Sequence, residues 1–163
     1  KKGFVKISHP PANRYSYYLP PGGFAEKCRL TAEYLSGSLT FFRTARQQCD
    51  DILSQCTADG HQNVVLVGGG DLAEIVIHCA HKFDIKLNGV VEADGQVSGT
   101  FGLQRFARFE DVDSDNAFVI TNLLRPQEVY FDILKTYDDQ IIYIPGILCV
   151  SRSTLNFYRR AAK

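Results

Sequence analysis

The spacing of apolar residues changes twice along the chain, and each period predicts a different element. Residues 3–7 and 15–19 alternate apolar and polar positions, which is the period of a strand. The turn-rich segment 8–14, with Pro10 and Pro11, separates them, so an N-terminal β-hairpin is expected over residues 1–22. From Phe24 to Cys56 there is no proline, and the apolar residues keep a heptad spacing. Cys28, Leu35, Phe42, Cys49 and Cys56 form one row, and Ala32, Leu39, Arg46 and Leu53 the other. Eight of these nine positions are apolar. A helix roughly 50 Å long is expected, with a seam to bury. The seam serves either a homodimer through residues 24–56 or packing on the domain that follows. Arg46, its one polar position, is a candidate for setting register.

After Asp59-Gly60 the apolar residues occur in short continuous runs, as in strands buried on both faces. Four strands are expected, at 64–67, 86–91, 117–121 and 140–144. Helices are expected at 71–83 and 126–137, with Pro126 opening the second. Residues 96–112 read as irregular, with a short helix at 109–112. Strands alternating with helices imply a parallel sheet. The fold class is therefore α/β: a hairpin (1–22), a long helix (23–60), then a small sheet of about four strands with flanking helices (61–163).

The candidate chemistry lies where the first of these strands ends. Val64-Val65-Leu66-Val67 runs into Gly68-Gly69-Gly70, and Asp71 is placed to cap the helix after it. Gly68, Gly70 and Ala73 match the G-x-G-x-x-A spacing of a dinucleotide-binding turn. Gly68 would allow the turn, Gly70 the close approach of a phosphate, and Ala73 close helix packing. The amides of Gly69, Asp71 and Leu72 would face the anion at the helix start. Glu92 lies 24 residues after Gly68, near the spacing of an acid that binds ribose. Asn122 and Arg125 end the third strand. Arg125 would meet either a phosphate or Glu128. A ligand-free α/β domain with the same turn is the alternative. His78 and His81 share a helix face as a weak metal pair, and Asp111, Asp113 and Asp115 lack the glycine and terminal Glu of a calcium loop.

Composition changes the picture little. A hydrophobic share of 45% and a charged share of 22% fit a globular chain. No apolar run approaches ~18 residues, so no membrane span is expected. Five cysteines without zinc spacing suggest reduced, buried thiols in a cytoplasmic protein. Net charge is zero but unevenly spread. Residues 1–61 hold 8 basic and 5 acidic side chains, 62–150 hold 6 and 13, and 151–163 hold 4 and 0. The acidic middle argues against DNA binding there, while the basic ends are suited to it.

Two resemblances follow. The first stretch, KKGFVKI…NRYSYYLPPGGFAEKCRL, resembles the wing and following helix of MarR-like winged helix-turn-helix transcription regulators, with Pro20 where Thr is usual. It implies a wing touching DNA through Lys2, Lys6, His9, Asn13 and Arg14, and a helix-turn-helix upstream of Lys1. The second stretch, residues 63–94, resembles small Rossmann-like domains that bind nucleotide-sugars or coenzymes. It implies an NAD-like dinucleotide or a nucleotide-sugar as ligand. Together they imply a non-enzymatic regulator: a DNA-binding wing, a dimerisation helix and a domain sensing a nucleotide, nucleotide-sugar or related metabolite. The alternative is an enzyme domain of nucleotide-sugar or NAD chemistry.

Overall fold

The computed structural model describes residues 5–8, 16–18, 20–92 and 102–152, with backbone only for 6–8 and 16–18. The chain forms two compact units, Lys1–Arg43 and Thr44–Lys163.

In the first unit, β1 (Lys6–Ser8) and β2 (Ser16–Tyr18) pair antiparallel, with Ile7 opposite Tyr17. They precede α1 (Pro21–Ala58), a helix of 38 residues and so ~57 Å long. Every residue from 27 to 44 on α1 is exposed. Arg29 braces the exposed helix by pairing with Glu26 at 2.7 Å and with Glu33 one turn on.

The second unit contains the end of α1 and a five-stranded, all-parallel sheet. Its strands are β3 (Asn63–Val67), β4 (Lys86–Val91), β5 (Arg105–Phe106), β6 (Ala117–Ile120) and β7 (Ile142–Tyr143). Helix α2 (Asp71–Ala80) links β3 to β4, and α3 (Pro126–Ile133) links β6 to β7. The spatial order β5-β4-β3-β6-β7 reverses direction between β3 and β6. It is the 3-2-1-4-5 order of doubly wound dinucleotide-binding sheets without a sixth strand.

The sheet thus has five strands where four were expected. The extra one, β5, falls in the segment that read as irregular. It is two residues long and has no room for a periodic signal. It adds to the edge by pairing Val90 with Arg105 and Val91 with Phe106. The last strand is also shorter than the expected 140–144, because Asp139–Ile141 forms a 3-10 turn.

β3 and β6 are buried on both faces from Val64 to Val67 and from Ala117 to Ile120, which explains their unbroken apolar runs. Leu72, Ala73, Ile75, Val76 and Cys79 supply the buried face of α2, and Val129, Tyr130 and Ile133 that of α3. The end of α1 adds Ala45, Cys49, Ile52, Leu53 and Cys56 to the same core. The second half of the heptad seam is therefore core within one chain, which corrects the expectation of a dimer seam running to Cys56. Arg46 is exposed on the surface of this stretch.

Candidate functional site

At the carboxyl ends of β3 and β6 the sheet reverses order, and the glycine turn occupies that place. Gly68 is buried, with φ at +103°, and its N–H donates to the Val91 carbonyl at 2.9 Å. A Cβ at Gly68 would stand 2.8 Å from both Cα and N of Asn122. Glycine is required here twice over, by the backbone angle and by the approach of β6's extension. Thr121 ties the same two strands, its N–H donating to the Val67 carbonyl at 2.9 Å and its hydroxyl lying against the Gly68 carbonyl.

Gly70 stands differently. Its φ is +153°, yet a Cβ there would meet nothing within 4 Å. Among the described residues nothing stands over it. Gly70, not Asp71, is the N-cap of α2, and its carbonyl accepts the first helical bond from the Glu74 N–H at 3.0 Å. Asp71 is the first helical residue and is exposed, so its expected capping role is not observed. Among the described residues, no side-chain hydrogen bond caps this helix start. The amides of Asp71, Leu72 and Ala73 precede the first intrahelical acceptor and carry partial positive charge. The Leu72 side chain points into the core at 1% exposure, so only its amide can serve a ligand.

The remaining candidates divide between the site and the scaffold. Glu92 follows β4 directly, and its side chain is only 6% exposed. Its carboxylate pairs with the Arg105 guanidinium of β5. Sequence reasoning passed over Arg105 because β5 itself was not legible. The Asn122 side chain folds back, its Oδ1 accepting from the N–H groups of Leu124 and Arg125 at 2.9 Å each. That bond opens α3, whose N-cap is Arg125 and whose first residue is Pro126. The signal was available in sequence, since an Asn a few residues before a helix-opening Pro is a recognised turn pattern. Arg125 pairs with Glu128 at 3.3 Å, both exposed. Gly68, Gly69, Gly70, Asp71 and Asn122 thus meet at one sheet end, and Glu92 lies at the end of the adjoining strand.

Lys2, His9, Asn13 and Arg14 lie outside the described residues, as do the side chain of Lys6, residues 93–101 and the basic tail 153–163. His78 and Glu74 approach at 3.8 Å on the surface of α2. Among the described residues no group of His, Cys, Asp or Glu is placed to hold a metal ion. Nor is any helix there long and apolar enough to cross a membrane.

Of the five thiols, Cys49, Cys56 and Cys79 are buried and Cys28 and Cys149 exposed, which corrects the expectation that all are buried. Burial pushes Cys49 and Cys56 up to about 12 and Cys79 up to about 11, so none of the three is a nucleophile near neutral pH. Asp50 beside them is held below the usual carboxylate range, chiefly by its hydrogen bond from Lys82 at 2.6 Å.

Compared with protein-family models, with curated proteins and with solved structures, the chain matches none.

Proposed function

We propose that the protein is a cytoplasmic DNA-binding transcription regulator whose α/β unit senses a nucleotide, nucleotide-sugar or related metabolite. The observation that carries the ligand half is Gly70. It opens α2 where, among the described residues, no side chain caps the helix start, at the point where the sheet order reverses. Ligands of doubly wound sheets bind outside the strand ends at that point. A diphosphate laid over residues 68–72 would accept from the first amides of α2. Glu92, at the end of the strand beside β3 and held by Arg105, would accept from ribose hydroxyls and would disfavour a 2′-phosphate. That favours an NAD-like dinucleotide or a nucleotide-sugar over NADP-like ligands.

The DNA half rests on the resemblance of residues 1–30 to a wing and its following helix. The antiparallel pair directly before α1 is compatible with it. In this reading Lys2, Lys6, His9, Asn13 and Arg14 contact phosphates or the minor groove, with the reading helices upstream. The second reading, a domain of an NAD or nucleotide-sugar enzyme, is favoured by the sheet order alone. A thermal-shift screen of nucleotides, nucleotide-sugars and coenzymes tests the ligand half, since a bound ligand stabilises the fold by mass action. Turnover of the stabilising ligand would favour the enzyme. DNA binding that weakens steeply with salt, and less steeply after Lys6→Ala and Arg14→Ala, would favour the regulator.

A further inference from the structure

Helix α1 carries two apolar faces in the first unit. Leu30 and Tyr34 line a hollow with Val5, just before β1, together with Lys27 and Thr31. On another side, at 3.6 residues per turn, Phe24, Cys28, Leu35, Leu39 and Phe42 fall within an arc of roughly 60°. Phe24, Leu35, Leu39 and Phe42 are 62%, 54%, 56% and 47% exposed. Among the described residues, none of this second stripe lines the hollow, so the stripe is a separate surface.

A helix exposed on all sides draws little stability from propensity alone, and most helices are held by packing an apolar face. Here the stripe keeps the alternating 4-3-4-3 spacing Cys28, Ala32, Leu35, Leu39, Phe42 of a two-stranded coiled coil. A face with that spacing is complementary to itself. Its area also fits. An aromatic side chain presents ~150–250 Å² when fully exposed, so four large side chains near half exposure leave on the order of 400 Å² of apolar surface. A standard interface takes ~800 Å² per partner, a little over half of it apolar.

We propose that the stripe Phe24–Cys28–Leu35–Leu39–Phe42 is the pairing surface for a second copy of this chain, running parallel and in register. Charge selects the direction. Side by side in register, Arg43 meets Ser38 of the partner subunit and Ser36 meets Thr31 of the partner subunit. Antiparallel, Arg29 meets Arg43 of the partner subunit twice over, and like charges across a seam repel. The seam ends at Phe42, because Ala45, Cys49, Leu53 and Cys56 are already core of the second unit. This pairing does not depend on the ligand site, and a dimer that binds no nucleotide leaves it standing.

The test uses the whole chain. Sedimentation equilibrium should give a dimer, and Leu39→Asp and Phe42→Asp should each give a monomer whose second unit still melts cooperatively, because neither residue belongs to its core. Oxidation by diamide then reads the direction. In the parallel seam the two Cys28 residues share one layer, within reach of the ~4.4–6.8 Å Cα separation of a disulfide. In the antiparallel seam they stand on the order of 24 Å apart, because about 16 residues of helix separate them. A disulfide-linked dimer that forms in Cys149→Ser and fails in Cys28→Ser is the expected result. A monomeric native chain at all concentrations, or a dimer that survives Leu39→Asp, overturns the proposal. So does a dimer in which Cys28 does not cross-link.

Discussion

Asn122 and Gly68 close the end of the sheet at a distance that admits no side chain. The Asn122 backbone lies where a Gly68 Cβ would come within 2.8 Å of it, while the same atom on Gly70 would meet none of the described residues within 4 Å. The two glycines of one turn therefore do different jobs. Gly68→Ala should be the more destabilising change, since it adds a backbone clash to a conformational penalty of ~1–3 kcal/mol. Gly70→Ala incurs only the latter, because its φ of +153° is unfavourable but no described residue lies within 4 Å of the added atom. Urea denaturation of both variants checks the order. Equal losses would mean that the Asn122 approach is not what selects glycine at position 68.

The heptad seam divides at the boundary of the two units, and the division is measurable by stability. Leu53 is fully buried and Leu39 is 56% exposed. Leu53→Ala should lower unfolding free energy by ~2–5 kcal/mol, as large-to-small changes in cores do. Leu39→Ala should change the melting of the second unit by less than ~0.5 kcal/mol, the scale of surface substitutions. Differential scanning calorimetry resolves the two. A comparable loss at Leu39 would make the whole seam one core.

Stability should fall at high pH. Cys49 and Cys56 are raised by burial from 9.0 to about 12, so the folded chain holds those protons longer than the unfolded chain. Tyr130 is raised from 10.0 to about 12, by burial first and then by its hydrogen bond to Asp139, and adds in the same direction. Below the unfolded values all these groups are protonated in both states, and the full stability is present. As pH rises from about 9 to about 12 the unfolded chain ionises first and that stability is lost. Melting temperatures across this window should decline, and Cys49→Ala with Cys56→Ala should flatten the decline. At neutral pH, alkylation should label Cys28 and Cys149 quickly and the other three only in denaturant.

Glu92 is held by Arg105 at the sheet edge, and each side of the pair predicts a different loss. Arg105→Ala removes a partner from a carboxylate that is only 6% exposed and should destabilise the fold by ~1–3 kcal/mol. Glu92→Ala should weaken binding of a ribose-containing ligand by ~1–3 kcal/mol, the range for hydrogen bonds to charged groups. Denaturation and calorimetric titration read them separately. Binding that is unchanged in Glu92→Ala would remove Glu92 from the site.

Long elements with strong periods were legible in sequence, and short ones held by tertiary contacts were not. β3 showed itself through Val64-Val65-Leu66-Val67 and α2 through Leu72, Ile75, Val76 and Cys79, because burial on one or both faces imposes those patterns. The glycine turn was visible for the same reason, although the role of Gly68 was not. Spacing cannot reveal that Asn122, 54 residues later, presses on it. Asp71 read as the cap because an acid before an apolar helix face usually is one. The helix starts one residue earlier than that reading requires, at Asp71 itself. β5 escaped because two residues carry no period, and Arg105 escaped with it. The heptad spacing could not show that one row serves two environments. An apolar seam looks alike whether a partner or the chain's own sheet covers it.

Isothermal titration of the whole chain reads a ligand over residues 68–72. NAD and a nucleoside diphosphate sugar are the titrants, with native protein and Gly70→Val compared side by side. The expected result is saturable binding of one of them to the native chain, weaker binding of NADP than of NAD, and no binding to a Gly70→Val chain that still melts cooperatively. No binding by the native chain, or undiminished binding by a folded Gly70→Val chain, would contradict it.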